Sequence, residues 1–183
     1  IKLGESLAVS DKLKSCLDKV DQNYQGRAVV IVPGGGVFAD QVRTVQQQWQ
    51  FDDRTAHLMA ILAMQQMALV IKSLKPHFKI VDSIAQCREQ NTKSDVCIWS
   101  PVILEVDQAN IPSSWNMTSD SLSAWLAKTL SADELILVKS VNIDGDCDVR
   151  KLVQQQVVDT SFFDYTQHVS FKINIVNAEI FVS

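Results

Sequence analysis

The stretch that most limits what this chain can become is Ala28-Val29-Val30-Ile31-Val32-Pro33-Gly34-Gly35-Gly36, continued by Val37-Phe38-Ala39-Asp40-Gln41-Val42-Arg43. Its apolar run is short and β-branched, which predicts a buried strand and not a helix segment. Proline cannot donate to a ladder, and three successive glycines free the backbone for positive φ and for close approach to a neighbour. A helical pattern follows at once. The peptide N–H groups of the turn therefore open a helix N-terminus, a place where an anion is held, and phosphate is the anion expected. The same residues also make a tight strand-to-helix turn with no ligand, and the stretch alone does not choose between the two.

Around it the chain alternates strand and helix patterns. Ile1 to Gly4 reads as the end of a first strand, which places residues before Ile1 outside this numbering. Ser10 to Asn23 carries Leu13, Leu17 and Val20 on one helical face. A helix is expected from Phe38 to Gln48. A longer one opens at Asp52-Asp53 with Met59, Ala63, Met67, Val70 and Leu74 as its core stripe, and Pro76 ends it. Strand-like runs cover Phe78 to Ser83, Cys97 to Leu104 and Leu135 to Lys139, and Val169 to Ile175 alternates as a half-buried strand does. Short helices are expected at Ser83 to Glu89, Ser121 to Leu130 and Val149 to Val157. The pattern predicts a three-layer α/β/α sandwich with a mostly parallel central sheet, whose ligands sit at the carboxyl ends of the strands.

Composition narrows the partners. The 183 residues suffice for one substantial core, and the net charge of −4 with scattered Lys and Arg argues against nucleic acid and anionic membrane. Cys16, Cys87, Cys97 and Cys147 form no CxxC pair and stand near no His at metal-ligand spacing, which predicts reduced thiols, a cytoplasmic setting and no protein-bound metal. The apolar segment around Met59 to Leu74 is interrupted by Gln65, Gln66 and Lys72, and is expected not to span a bilayer.

The Rossmann GxGxxG and Walker A spacings are absent. What remains is a set of anion-handling positions: Lys2, Gly4 and Ser6, then Gly34, Gly35 and Gly36, Asp120 at a helix start, and Lys139 at a strand end. Each has a plainer reading beside it. Asp120 also reads as a helix N-cap, Lys139 as an exposed strand-end lysine, Arg43 as a surface residue, His57 as a structural histidine and Trp115 as packing.

Taken together these positions resemble the amino acid kinase family. Lys2-Leu3-Gly4-Glu5-Ser6 is similar to its opening Lys-x-Gly-Gly-Ser, Gly34-Gly35-Gly36 to its second glycine turn, Ser119-Asp120 through Ala127 to its later Asp segment, and Leu135 to Lys139 with Asp144-Gly145 to its late strand and turn. Pro33 to Arg43, Ala56-His57-Leu58-Met59-Ala60, Trp115 to Ala127, Leu137 to Ser140 and Val158-Asp159-Thr160-Ser161-Phe162 resemble its short methanofuran-biosynthesis branch, the (aminomethyl)furanmethanol phosphate kinases.

The resemblance implies an ATP- and Mg²⁺-dependent kinase with a phosphorylated small-molecule acceptor. Within it Lys2 lies on the transferring phosphoryl, Asp120 orients the lysines and Lys139 meets ATP phosphates. Gly4, Ser6, Gly34, Gly35, Gly36, Ser119, Asp144 and Gly145 line the phosphates, with the glycine amides as the cradle, while Arg43, Arg54 and His57 clamp the acceptor. It implies an acceptor lobe over about residues 1–110, a short nucleotide lobe over 111–183, and a homodimer or higher oligomer. A uridylate kinase-like activity on nucleoside monophosphates and a non-catalytic nucleotide-binding relative stand as alternatives. The second rests on Glu5, which replaces the second glycine, repels phosphate, and is strained if that position needs positive φ. Asn116 stands where the branch usually has Asp, and Asn142 falls near its usual Asp-Val-Asp-Gly turn.

Overall fold

The computed structural model describes residues 1–93, 95–109, 111–143 and 148–183. Among them six strands form one sheet: β1 (Lys2–Leu3), β2 (Val29–Pro33), β3 (Lys79–Val81), β4 (Val96–Trp99), β5 (Glu134–Lys139) and β6 (Lys172–Asn177). Their order is β3-β4-β2-β1-β5-β6 and every neighbouring pair is parallel. Parallel neighbours need crossover connections, and helices supply them: α1 (Lys12–Asn23), α2 (Gly36–Trp49), α3 (Asp53–Leu74), α4 (Ile84–Thr92), α5 (Ile103–Gln108), α6 (Ser119–Thr129), α7 (Val149–Gln154) and α8 (Phe162–Thr166), while α9 (Ala178–Val182) follows β6.

Side-chain alternation along the strands separates two apolar layers. Val29 and Ile31 of β2, Ile98 of β4, and Ile136 and Val138 of β5 join Leu13, Leu17 and Val20 of α1 and Ala178 of α9. Their neighbours Val32, Cys97 and Trp99 point the other way, into a cluster with Cys87 of α4 and Leu122 and Leu126 of α6. Leu135 and Leu137 face Leu152 of α7 and Phe162 of α8 on that second side. The expected layered sheet is what the chain forms, with all pairs parallel.

Several expectations shift. The run from Cys97 to Leu104 breaks at Trp99, because Pro101 cannot continue the ladder and residues 103–108 turn helical. The last strand starts at Lys172 and not at Val169. In α3 the buried stripe runs through His57, Ile61, Met64, Ala68 and Ile71 beside Ala63 and Met67, while Leu74 is exposed. By length and composition α3 is apolar enough to cross a bilayer, contrary to the sequence reading. Here it lies as a layer helix, shared between the first two clusters. Pro33 ends β2 without loss. The donors flanking it, Val32 and Gly34, bond Ile1 and Leu3 of the β1 side, and the β2–β4 ladder has already ended at Ile31.

The first strand lies in the middle of the sheet, with β2 on one side and β5 on the other. The crossover from β1 runs to β2 on one flank and the crossover from β4 reaches β5 on the other, so the connections part beyond Leu3 and leave a crevice there. The glycine turn after β2 is packed tightly beside it. A Cβ on Gly35 would stand 2.5 Å from that of Ala39, and one on Gly36, at φ +56°, would meet Met67 Sδ at 2.9 Å and Ala8 Cβ at 3.2 Å. Replacing Gly36 with Ala combines a left-handed backbone penalty with overpacking. Gly36→Ala is expected to destabilise the fold by about 2–4 kcal/mol, seen as a lower urea midpoint at unchanged slope.

Candidate active site

Three charged side chains meet beyond the ends of β1 and β5. Asp120 lies in the first turn of α6, where the helix dipole favours a carboxylate. Lys2 projects from β1, with its Nζ 2.8 Å from Asp120 Oδ1. Lys139 closes β5, and its Nζ donates to Asp120 Oδ2 at 2.6 Å. All three side chains are largely removed from solvent, at 2 % exposure for Lys2, 6 % for Asp120 and 13 % for Lys139. Lys139 makes a directed hydrogen bond. Lys2 makes a charge contact only, and Asp120 Oδ1 has no aligned donor.

Electrostatics follow from that crowding. Burial pushes the Asp120 carboxyl up, but the two ammonium groups outweigh it and hold the pKa below the usual carboxylate value. Burial and then the Lys2 ammonium lower Lys139 to about 8, against the pull of Asp120. Two cations share one anion, so the cluster carries an excess positive charge. It opens onto a cleft of about 650 Å³ bounded by Gly4, Glu5, Arg43, Trp115, Val157 and Asp159. A cavity of that size lies within the ordinary range for small-molecule sites.

The supporting shell comes from distant segments. Asp159 Oδ2 accepts from Thr118 N at 2.9 Å, Thr118 Oγ1 at 2.7 Å and Ser121 N at 3.1 Å, and its Oδ1 accepts from Ser121 Oγ. One carboxylate thus satisfies orphan donors of the α6 N-terminus and fixes where Asp120 points. Asn177, buried at the end of β6, donates to the carbonyls of Ser140 and Val141 at 3.3 and 3.0 Å, and holds the segment after Lys139. Sequence reading assigned neither residue a role. Asp159 stood in a matched segment, and Asn177 carried no signal.

The other sequence-derived positions divide. Gly4 and Gly34 spend their amides within the sheet, bonded to Val138 O at 2.9 Å and Leu3 O at 3.0 Å, so those two N–H groups are not free to cradle an anion. Gly4 instead makes room: a Cβ there would meet Val138 O at 2.9 Å. Gly35 and Gly36 remain at the start of α2. Ser6 Oγ is tied to Ser140 Oγ at 2.6 Å on the rim of the cleft. Arg43 also lines the cleft, its guanidinium 4.4 Å from the Trp115 ring centroid and 3.0 Å from Asp40. Arg54 does not join them; its exposed guanidinium pairs with Asp107. Asp144 and Gly145 lie outside the described residues.

His57 and Ser119 face a smaller cavity next door, and burial lowers the His57 pKa, which keeps the imidazole neutral. Glu5 is not strained: it opens a 3-10 turn after Gly4 and is absent from the positive-φ residues. Its side chain lies over Gly34, whose missing Cβ would stand 2.8 Å from Glu5 Cγ, and reaches Arg43 at 3.4 Å.

Residues 1–156 match the amino acid kinase family. The chain is 30 % identical over 149 residues to the [5-(aminomethyl)furan-3-yl]methyl phosphate kinase of Methanocaldococcus jannaschii, covering 79 % of this chain and 66 % of that protein, just under two thirds of its length. Among solved structures it is similar to uridylate kinase from Archaeoglobus fulgidus, with a TM-score of 0.74 at 17 % identity over 99 % of this chain and 93 % of that one. UMP kinase from Ureaplasma parvum is similar at 0.72 and 14 %, over 97 % and 88 %. At these identities the two structures establish the fold.

The lowered pKa of Lys139 has a measurable consequence. Above pH 8 the free site holds this lysine partly neutral, and an anion docked against it favours the charged form. Pyrophosphate binding there is expected to take up as much as about one proton, measured by calorimetry in buffers of different ionisation enthalpy, and Lys139→Met is expected to abolish the uptake.

Proposed function

The chain belongs to the amino acid kinase family, and from that premise we propose that it transfers the γ-phosphoryl of ATP to the phosphate of a small acceptor, [5-(aminomethyl)furan-3-yl]methyl phosphate. The observation that carries this reading is the convergence of two buried ammonium groups on the single carboxylate of Asp120, facing one open cleft. Phosphoryl transfer asks little covalent chemistry of a protein. It needs alignment of two oxygens and neutralisation of charge on the group between them.

Lys2 is the residue proposed to meet the transferring phosphoryl. Its ammonium is desolvated and lacks a directed bond to Asp120, so its donors are available at little cost in reorganisation. Lys139 is proposed to take the ATP phosphates on the β5 side, with residues 111–183 as the nucleotide lobe and Gly35 and Gly36 supplying amides from the acceptor lobe, residues 1–110. Asp120 acts as an organiser. Each of its oxygens lies against a lysine ammonium and its pKa is held low, which makes it a poor proton acceptor. Arg43, whose planar guanidinium lies over the Trp115 ring, suits the acceptor phosphate.

Mg²⁺ fits as an ion carried on ATP oxygens and water: among the described residues no three His, Cys, Asp or Glu side chains are grouped to hold it. Bound there, it would offset charge between the phosphates. The fold likeness to uridylate kinases makes UMP the natural comparison acceptor.

The test is product formation from Mg-ATP with the furan phosphate, with UMP, and with no acceptor. ADP and a furan diphosphate are expected. ADP with UMP alone would discard the acceptor, and ATP binding without transfer to either would make the chain a nucleotide-binding relative. Lys2→Met and Asp120→Asn are each expected to lower kcat by about 100-fold or more. Asp120→Asn should also lower the thermal midpoint, since it leaves two buried cations without their counter-charge.

A further inference from the structure

Beside the main cleft lies a second, much smaller cavity, of about 20 Å³, which is room for one water-sized group. Its walls are mostly apolar, from Ala39, Ile61, Met64 and Leu122, yet polar side chains line it too: Glu5, His57 and Ser119, beside Thr118 and Trp115, whose Oγ1 and Nε1 are bonded to Asp159 and Gln46. His57 is 5 % exposed and Ser119 3 %, and His57 Nε2 and Ser119 Oγ have no hydrogen-bond partner. Buried polar atoms left unpaired cost free energy, and here two of them belong to residues that line one small void. Glu5 adds a carboxylate whose contact with Arg43 is long, at 3.4 Å; the shorter 3.0 Å pairing of Arg43 is with Asp40.

We propose that this cavity is an ammonium subsite, in which Glu5, Ser119 and His57 receive the primary amine of the acceptor while its phosphate lies in the adjoining cleft. The inference rests on the acceptor reading given above and assigns that acceptor its orientation. A primary ammonium has three donors and no acceptor. The cavity offers three acceptors: the Glu5 carboxylate, the Ser119 hydroxyl and, in the Nδ1–H tautomer, His57 Nε2. Burial keeps that imidazole neutral, which an acceptor role requires. Size agrees, since –NH₃⁺ occupies the volume of a water.

Other occupants fit less well. A phosphate oxygen would meet the Glu5 carboxylate without a cation between them. Mg²⁺ prefers six oxygen ligands in near-octahedral array, and these apolar walls and one imidazole do not provide them. Glu5, Trp115 and Thr118 line both cavities, so the two adjoin across these side chains, and the proposed pose puts the amine in the small cavity and the phosphate beside Lys2 and Arg43. The carboxylate that stands where the family has a glycine then becomes a specificity group, and not an obstacle to phosphate. His57 moves from the anion clamp to the cationic end of the acceptor.

Binding without ATP tests this apart from turnover. The probes are [5-(aminomethyl)furan-3-yl]methyl phosphate and its counterpart carrying methyl in place of aminomethyl, measured by calorimetry. The native protein is expected to prefer the amine by about 10- to 100-fold, the worth of a charge-assisted contact, and Glu5→Gln to bring the two compounds level. Ser119→Ala, which removes one oxygen, is expected to reduce the preference several-fold and serves as the second variant if Glu5→Gln does not fold. Equal affinity of the native protein for both probes would overturn the subsite and leave a water there. A preference unchanged in both variants would overturn the assignment of these residues. A preserved preference with no phosphoryl transfer would reject the kinase reading while leaving the subsite in place, and equal turnover of both probes would do the reverse.

Discussion

Two buried lysines compete for one aspartate, and the architecture around the cleft is arranged to make that arrangement tolerable. Removing charges from water is costly, and an ion pair recovers that cost only when geometry and further hydrogen bonds are good. Here one carboxylate serves two cations, one oxygen to each, so the cluster is under-neutralised in the free protein. The N-terminus of α6 adds its own positive potential beneath Asp120. What completes such a cluster is an anion from outside. Binding of an anion there and local charge balance would therefore be the same event.

Holding the cluster falls to residues that never touch it. Asp159 gathers the free donors at the start of α6, and Asn177 ties the segment beyond Lys139 to the sheet edge. Both are long-range connections, between residues 118 and 159 and between 141 and 177. The glycines play a quieter part than their number suggests. Gly4 admits the end of β5, Gly34 the side chain of Glu5, Gly35 the helix face at Ala39, and Gly36 a left-handed start to α2.

The strands and helices were legible because their signals are local: β-branched runs, alternation and helical spacing. Where the reading failed, a neighbouring element decided. Pro101 ended β4 early, and the true stripe of α3 was set by the sheet beneath it, not by the chain's own Met and Ala spacing. Lys2, Asp120 and Lys139 could be found because they fall at element ends and in a recognisable order. Asp159 and Asn177 could not, because a cap supplied from a distant loop leaves no mark at any fixed interval in the sequence. Glu5 was legible as a departure, but its meaning was not. Read alone it predicts strain and repulsion; in the fold it has an ordinary backbone and turns aside over Gly34. His57 likewise changes character once its burial is known.

The placement of β1 bears on how such a chain is made. It precedes the other five described strands, and it lies in the middle of the sheet, bonded to β2 on one flank and β5 on the other. As the polypeptide leaves the ribosome, one edge of β1 stays open until residues 134–139 have followed, and Lys2 waits without the carboxylate of Asp120. An open edge is a hazard for mispairing. The nascent chain can build the β3-β4-β2 half early, from contacts between near segments. The Lys2–Asp120–Lys139 cluster, by contrast, belongs to a later stage of synthesis: no partial chain ending before β5 contains it.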